Sequence, residues 1–204
     1  EDEQAADDLA IQNSLVAWYA FNGNTLDSSG RNNHVIFSNA TPDAGVSGER
    51  NTAYSFNGVD NYMQVANNRS LNPSKEITLY AMINVNNFYA GPCHNNKILN
   101  KGLNDSDSGV YYLQFNDALF YNYNQCFEDL NVTHQTFSAG YGNGAGKAVE
   151  VDSLYRIKIL KWSPVAFTYD GITSKLYVNG KLTSSHTGPF SFNANRSDLF
   201  IGTS

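Results

Sequence analysis

This sequence of 204 residues has little positive charge, few cysteines and no long apolar run, and each shortage removes a class of function. Its 13 lysine and arginine residues are scattered, so there is no basic patch for nucleic acid. No apolar run reaches the length of a membrane-spanning helix. The two cysteines, Cys93 and Cys126, form no C-x-x-C pair, which argues against a zinc site.

Aromatic residues and asparagine are abundant instead, and both favour a sheet protein with many loops. The chain contains 13 tyrosines, 12 phenylalanines and 27 asparagines, while charged residues make up 16%. Aromatic side chains are enriched in strands, whereas asparagine is common in turns and tolerates left-handed backbone. A chain of this length can bury a stable core as one domain without a metal or a disulfide.

The clearest local signal is a pair of alternating runs near the end of the chain. Residues 165–169 and 176–178 each place apolar side chains at every second position, and Asn179-Gly180 follows the second run. The pair Asn-Gly fits a type I′ turn, because both residues tolerate the positive φ that this turn requires. The pattern therefore predicts antiparallel strands in this region.

Further short strands are predicted along the whole chain, separated by turn signals. Residues 77–85 alternate with apolar side chains on both faces, which predicts a strand in the centre of a sheet. Pro164 lacks an N–H donor and predicts an edge or a bulge. The other predicted strands are 15–21, 34–37, 53–56, 62–65, 97–101, 110–115, 118–123, 154–162 and 199–201, with hairpins joining 53–56 to 62–65 and 110–115 to 118–123. So many short strands without a long helix predict an all-β sandwich or jelly roll.

The first 14 residues are acidic and differ from the sheet-like remainder. We predict a tether or lead-in at residues 1–14, with a short helix or lead-in at 9–14, followed by a single domain at 15–204. A frayed helical turn without a role is the alternative. Both cysteines end sheet-like runs, which favours a disulfide between Cys93 and Cys126, as oxidising compartments permit; two free thiols are the alternative.

Several separated motifs resemble the laminin-G-like, concanavalin A-like family of jelly rolls, and they occur in the family's order. They are Asp27-Ser-Ser-Gly30, Ser55-Phe-Asn-Gly-Val-Asp-Asn-Tyr62, Ile98-Leu-Asn-Lys-Gly102, Leu176-Tyr-Val-Asn-Gly-Lys181 and Phe200-Ile-Gly202. The resemblance implies one jelly-roll β-sandwich of two antiparallel sheets. Such domains are common in secreted bacterial proteins, so the resemblance also implies a protein that is secreted or anchored at the bacterial cell surface or in the periplasm.

Enzymes of the same fold cleave polysaccharides with carboxylates on one strand, commonly spaced as E-x-D-x-x-E. The nearest counterpart is Glu150-Val-Asp152, but Tyr155 occupies the third acidic position. We interpret Glu150 and Asp152 as solvated loop charges, and Glu128-Asp129 in the same way. The sequence has no nucleophile elbow, paired-histidine motif or phosphate-binding loop. These observations predict that the protein is not an enzyme.

The resemblance also implies a structural calcium ion near the turn at residues 22–32. Calcium prefers several hard oxygen ligands, which asparagine, aspartate and backbone carbonyls supply. By residue match, Asp27 would be the charged ligand, with Asn24 or Asn32 assisting. The alternative is that these side chains bond to their own backbone in Asx turns.

Residues 110–124 combine aromatic rings with amides, which is the composition of a sugar-binding surface. Tyr112 and Gln114 share one face of the first predicted strand, and Tyr121 and Tyr123 share one face of the second. A glycan would stack on these rings if the hairpin lies in the concave sheet. The alternative is that the aromatic side chains belong to the core.

Together these patterns favour a non-catalytic, lectin-like module that binds a glycan or a glycoprotein. The net charge of −6 argues against nucleic acid as a partner, and no transmembrane segment is predicted. Two alternatives stay open. One is an adhesive or structural module whose partner is a protein, and the other is a polysaccharide-active enzyme with an atypical site.

Overall fold

A computed structural model describes residues 2–88, 96–102, 109–116, 135–142, 148–188 and 193–202. One helix, α1 (Asp2–Ser14), precedes the sheets. The described strands are β1 (Val35–Ser38), β2 (Thr41–Asp43), β3 (Ala53–Ser55), β4 (Met63–Val65), β5 (Ile77–Asn84), β6 (Lys97–Lys101), β7 (Tyr111–Asn116), β8 (Thr136–Gly142), β9 (Ala148–Asp152), β10 (Trp162–Tyr169), β11 (Thr173–Val178), β12 (Lys181–Thr187) and β13 (Leu199–Ile201). Within the described part of the chain, no helix has the length and apolar character needed to cross a bilayer.

The strands form a large sheet, a small sheet and a short ribbon. The large sheet has seven strands in the order β1-β4-β13-β6-β7-β8-β9, and the small sheet has four in the order β12-β11-β10-β5. The ribbon pairs β2 with β3. Every described pairing is antiparallel, and the large and small sheets share one core. The predicted all-β sandwich of two antiparallel sheets is confirmed.

The core between the sheets is built from side chains at alternating strand positions. On β10, Val165, Phe167 and Tyr169 are buried, while the residues between them are half-buried. The ring centroid of Tyr141, on the large sheet, lies 6.4 Å from that of Phe167 and 5.1 Å from that of Tyr169. Burying a large apolar side chain contributes about 1.5–3 kcal/mol, so the alternation decides which face of each strand points inward.

The predicted turn at Asn179-Gly180 is confirmed. Asn179 and Gly180 have φ values of 52° and 74°, so both lie in the left-handed region that a type I′ turn requires. This turn joins β11 to β12, and Asp170-Gly171 lies in the turn between β10 and β11. Three of the four strands of the small sheet therefore follow one another along the chain.

Two predicted elements near the start of the chain are wrong. Residues 15–21 form no strand, because Trp18 bonds instead to the turn that follows, through the Asp27 carboxylate and the Ser28 N–H. β3 and β4 do not form a hairpin, since β3 pairs with β2 and β4 lies between β1 and β13. The Asn57 Oδ1 atom accepts the N–H groups of residues 59–61, which closes a loop instead of a tight turn.

Three later predictions of strand position are also wrong. β5 lies at the end of the described small sheet and not in its centre. Pro164 lies inside β10, which has a neighbouring strand on each side. The Asn179 N–H donates to the Pro164 carbonyl, but proline has no N–H for the reciprocal bond to the Asn179 carbonyl. The proline is tolerated because Asn179 lies in an exposed turn. Residues 154–161 form no strand, since Leu160 has a φ of 56° that interrupts an extended backbone.

Lys101 is a buried lysine that fixes the segment before β13. Its Nζ atom donates to Asn67 Oδ1 and Asn195 Oδ1, each at 2.9 Å, and to the Ser197 carbonyl at 2.5 Å. Burial lowers the pKa of Lys101 to about 8, although the nearby Asp198 carboxylate opposes the shift. One buried cation therefore ties the segment after β4 to the segment that enters β13.

We expect Lys101→Met to lower the free energy of unfolding by about 2 kcal/mol, because three oxygen acceptors lose their donor. Because the pKa of Lys101 is lower in the folded state, its pH-dependent contribution to stability is fully present above pH 10.5. This contribution is lost as the pH falls through about 8. The effect of the substitution should therefore grow towards alkaline pH. Urea unfolding across this range measures it. Lys158→Met, at an exposed position, is the control, and equal losses in both variants would contradict the buried role.

Candidate functional site

The outer face of the large sheet carries a continuous set of polar side chains over β6 to β9. In the register of these strands, two rows of residues cross the sheet side by side. We call the surface formed by these rows, together with Asn116, the polar face. Its members are Lys97, Asn100, Tyr112, Gln114, Asn116, Ser138, Gly140, Glu150 and Asp152.

The alternation of these strands places the polar face opposite the core. On β7, Leu113 lies in the core, so Tyr112 and Gln114 point to the outer side. On β9, Val151 lies in the core between Glu150 and Asp152. The interpretation of these two acids as solvated loop charges is therefore wrong, since both are strand residues. Glu128-Asp129 lies outside the described residues.

Both carboxylates on β9 are held by neutral donors from β7, two strands away. The Tyr112 hydroxyl donates to Glu150 Oε2 at 2.9 Å, and the Gln114 amide donates to Glu150 Oε1 at 3.3 Å. The Asn116 amide donates to Asp152 Oδ1 at 2.9 Å. These contacts fix the positions of both acidic groups relative to the sheet.

The two amides that hold the carboxylates are themselves held at their oxygen atoms. The Lys97 ammonium donates to the Gln114 Oε1 atom and lies 4.3 Å from the centre of the Tyr112 ring, which is a cation–π contact. The Ser138 hydroxyl donates to Asn116 Oδ1 at 3.0 Å. The polar face is therefore a connected network in which both amides have defined orientations.

The polar face is accessible at its β9 edge, and Lys97 on β6 is half-buried. Tyr112 and Gln114 have exposed fractions of 0% and 1%, whereas Glu150 is exposed and Asp152 is half-buried. Solvent reaches the Glu150 side chain, but the protein around its carboxylate and the nearby Asp152 raise its pKa, while the donors of the polar face oppose the shift. The edge thus contains an exposed side chain whose carboxyl group, surrounded by protein, has a raised pKa.

Gly140 allows the contact between Tyr112 and Glu150, because it lies between them in the row that crosses β8. A Cβ atom at this position would lie 2.6 Å from the Tyr112 hydroxyl oxygen and would overlap the Val149 carbonyl oxygen. The Tyr112 ring therefore lies over Gly140 of β8, where a side chain would not fit. Its hydroxyl group reaches across β8 to Glu150 on β9.

A further hydrogen-bonded carboxylate, that of Asp27, organises the loop before β1. Its Oδ1 atom accepts the N–H groups of Trp18 and Ser29 at 2.9 and 2.8 Å. Its Oδ2 atom accepts the Ser29 hydroxyl and the Asn33 N–H, each at 2.9 Å. Burial alone would raise the pKa of Asp27, but these hydrogen bonds outweigh it and lower the pKa.

Comparison with known families agrees with this sandwich of antiparallel sheets. The profile of the concanavalin A-like lectin/glucanases superfamily matches residues 57–204. The chain belongs to this superfamily. The match extends from β4 to β13, so it includes every strand of the polar face, and it confirms the resemblance found in the sequence. A comparison with curated protein sequences finds no match.

Solved structures share the superfamily fold at low sequence identity. Domain 4 of an extracellular arabinanase from Geobacillus stearothermophilus, in complex with arabinotriose, is 16% identical with a TM-score of 0.59, over 93% of this chain and 83% of that one. The binding domain of botulinum neurotoxin serotype C1 is 16% identical with a TM-score of 0.56, over 94% of this chain and 43% of that one. The receptor-binding domain of botulinum neurotoxin mosaic serotype C/D is 14% identical with a TM-score of 0.55, over 92% and 46%. This chain therefore spans less than half of either toxin chain.

The calcium ion implied by the superfamily resemblance does not fit the residues around Asp27. A carboxylate offers about four lone-pair positions, and four hydrogen bonds already use those of Asp27. Asn24 Oδ1 accepts the Leu26 N–H at 2.9 Å, as in an Asx turn, and Asn32 is exposed with a φ of 58°. Among the described residues, no three histidine, cysteine, aspartate or glutamate side chains are grouped to hold a metal. The geometry is that of the Asx-turn alternative, which leaves the Asp27 carboxylate no free position for the calcium ion expected from the sequence.

Two of the four predicted ligand-binding residues, Tyr112 and Gln114, lie together on the polar face. Because both are buried, they orient Glu150 and do not themselves reach solvent. Sequence reasoning missed Glu150 and Asp152 as site residues. The signal that identifies them is the alternation at residues 149–152, where valine and acidic side chains follow one another.

The other sequence-predicted residues of this region lie outside the described residues. These are Tyr121 and Tyr123, predicted to form the second half of the sugar platform, and the predicted disulfide partners Cys93 and Cys126. Because β7 pairs with β6 on one side and with β8 on the other, the predicted hairpin between residues 110–115 and 118–123 is wrong. The ligand-binding roles of Tyr121 and Tyr123 and the disulfide stay predictions.

We expect Gly140→Ala to destabilise the fold by about 2 kcal/mol, because the added methyl group overpacks the sheet against Tyr112. Loss of the Tyr112 hydrogen bond should also raise the pKa of Glu150 further, since this bond lowers it. Urea unfolding and NMR titration of the Glu150 carboxyl measure the two effects. Gly188→Ala is the control, because the nearest atom to its added Cβ is a His186 side-chain nitrogen at 3.3 Å. An unchanged Glu150 pKa in Gly140→Ala would contradict the proposed role of the glycine.

Removal of the Asp27 charge tests what holds the loop before β1. We expect Asp27→Asn to lower the free energy of unfolding by about 3 kcal/mol, because an amide replaces a charged acceptor of several hydrogen bonds. Asp43→Asn, at an exposed carboxylate with one hydrogen bond from Ala44, should have little effect.

We also expect the same melting temperature in excess calcium and in chelator. A clear rise with calcium would establish a native-state ion, since such a ligand must stabilise the fold.

Proposed function

We propose that this domain is a non-catalytic, lectin-like module that binds carbohydrate through the β9 edge of the polar face. The observation that carries the proposal is the fixed position of two acidic side chains, one exposed and one half-buried, at the edge of the sheet. Tyr112 and Gln114 hold Glu150, and Asn116 holds Asp152. Sugar hydroxyls donate well to carboxylates, and groups that are ordered before binding lose little conformational entropy when the ligand arrives.

The superfamily and its structural neighbours support a carbohydrate ligand. The superfamily comprises lectins and glucanases, and the arabinanase domain with the same fold is in complex with arabinotriose. The two toxin neighbours are binding domains. We infer a secreted or surface-anchored bacterial protein whose ligand is a free glycan or the glycan of a glycoprotein.

One observation favours a second candidate function, a polysaccharide-active enzyme with an atypical site. Glycoside hydrolysis uses one protonated carboxylic acid and one carboxylate. Glu150, with its raised pKa, and Asp152 on the same face of β9 could supply such a pair. We place binding first because β9 ends at Asp152, and Tyr155, at the third position of the E-x-D-x-x-E spacing, is neither acidic nor in a strand.

We expect the protein to bind at least one oligosaccharide on a glycan array. Glu150→Gln should then weaken binding about tenfold, because an amide is a poorer acceptor for sugar hydroxyls than a carboxylate. Isothermal titration calorimetry with the array ligand measures the change. Glu76→Gln makes the same substitution at an exposed acidic residue before β5 and should leave the affinity unchanged.

Three other results would lead to different conclusions. A silent array would reject the carbohydrate proposal and favour a protein partner. Equal affinities of Glu150→Gln and the wild-type protein would reject the polar face as the site. Release of reducing ends from the bound polysaccharide, abolished in Glu150→Gln, would establish the enzyme instead of the binding module.

A further inference from the structure

Three aromatic rings meet at the other end of the large sheet. We call Phe37, Tyr62 and Phe200 the aromatic cluster. The ring centroids of Phe37 and Tyr62 lie 5.0 Å apart, and those of Tyr62 and Phe200 lie 6.1 Å apart. The residues come from β1, from the position before β4 and from β13, so only the folded sheet brings them together.

The aromatic cluster lies on the same outer side of the sheet as the polar face. Phe37 and Phe200 both pair in register with Gln64, whereas the adjacent Met63 points inward and is fully buried. Phe37 is 43% exposed, and Tyr62 and Phe200 are half-buried. An accessible group of touching rings is characteristic of ligand-binding sites.

Asparagine side chains hold the backbone of the aromatic cluster in place. Asn39 Oδ1 accepts the Tyr62 N–H at 2.8 Å, and the Asn39 N–H donates to the Tyr62 carbonyl at 3.3 Å. The Asn39 amide also donates to the Asp60 carbonyl at 2.9 Å, and Asn57 closes the loop that contains Asp60. The rings are therefore presented in a fixed arrangement, which lowers the entropy lost on binding.

The polar groups in register with the rings are neutral amides. Gln64, between Phe37 and Phe200, donates through its amide nitrogen to Asp198 Oδ2 at 2.6 Å, which fixes its orientation. Asn100 follows Phe200 in the same row but is buried. A sugar ring has an apolar C–H face and polar hydroxyl edges, so it matches rings that lie beside the half-buried Gln64 amide. The Asp198 carboxylate, which accepts from Gln64, would repel an acidic sugar, as would the net charge of −6.

We propose that the aromatic cluster is a second carbohydrate contact, which takes the apolar face of a neutral sugar ring. This inference rests on the proposed function, because it assumes a carbohydrate ligand, but it uses no residue that holds or forms the β9 edge. Phe200 and Glu150 lie at the two ends of a row that crosses five strands, about 19 Å apart at a strand spacing of about 4.8 Å. Asn100, Tyr112 and Gly140 between them are buried, so a ligand does not lie along this row, and the aromatic cluster is a separate contact.

Titration calorimetry with arabinotriose, xylotetraose and cellotetraose, and with a galacturonic acid trisaccharide as the acidic comparison, tests the proposal. We expect Phe37→Ala and Phe200→Ala each to weaken binding of the neutral ligand about tenfold, because each removes a ring from the stacking surface. Phe37→Tyr keeps a ring and should retain the affinity. Ile36→Ala is the matched control, since Ile36 is 62% exposed and adjacent in β1 but outside the cluster.

The possible outcomes separate this inference from the proposed function. Weakened binding in Phe37→Ala and Phe200→Ala, with Phe37→Tyr and Ile36→Ala unaffected, supports the aromatic cluster. Binding that responds to Glu150→Gln but to neither phenylalanine variant would overturn the cluster and leave the proposed function standing. Tighter binding of the acidic trisaccharide would overturn the neutral ligand class. Binding of no saccharide at all would overturn both proposals.

Discussion

The alternation of side chains in the middle strands of the large sheet is the constraint on which the rest of the structure depends. Leu113, Ala139 and Val151 pack into the core from β7, β8 and β9, and the positions between them form the polar face. A shift of one residue in the register would exchange the two sets and place the β9 carboxylates in the core. An unpaired buried charge is very costly, so the same pattern specifies both the core and the site.

Within the polar face, buried neutral groups determine where the accessible acidic groups lie. Tyr112 can reach Glu150 across β8 only because Gly140 has no side chain. The surrounding protein and Asp152 favour the protonated form of Glu150, while the Tyr112 hydroxyl and Lys97 favour the ionised form. The site thus depends on packing between strands as much as on its acidic residues, and a hydroxyl-rich ligand meets groups that are already oriented.

Local signals made much of the fold predictable, while the site depends on pairing between distant strands. The turn at Asn179-Gly180 and the alternation of β10 can be read within a few residues. The segment at residues 15–21 has a strand-like pattern, but the Trp18 N–H donates to the Asp27 carboxylate instead of to a neighbouring strand. No local pattern reveals this contact. Sequence reasoning placed Tyr112 and Gln114 on one face, yet their contact with Glu150 requires β8 to lie between β7 and β9. The aromatic cluster likewise exists only because β4 lies between β1 and β13.

NMR chemical-shift mapping of the isotopically labelled protein during titration with a bound oligosaccharide tests most directly whether the outer face of the large sheet is the recognition surface. We predict that the largest shifts occur on that face, at Glu150 and Asp152 of β9 and at Phe37 and Phe200 of the aromatic cluster. The small sheet also exposes large side chains on its outer face, among them Tyr80 and Leu182, and provides the internal comparison. Shifts confined to the small sheet, with the large sheet unaffected, would contradict the account.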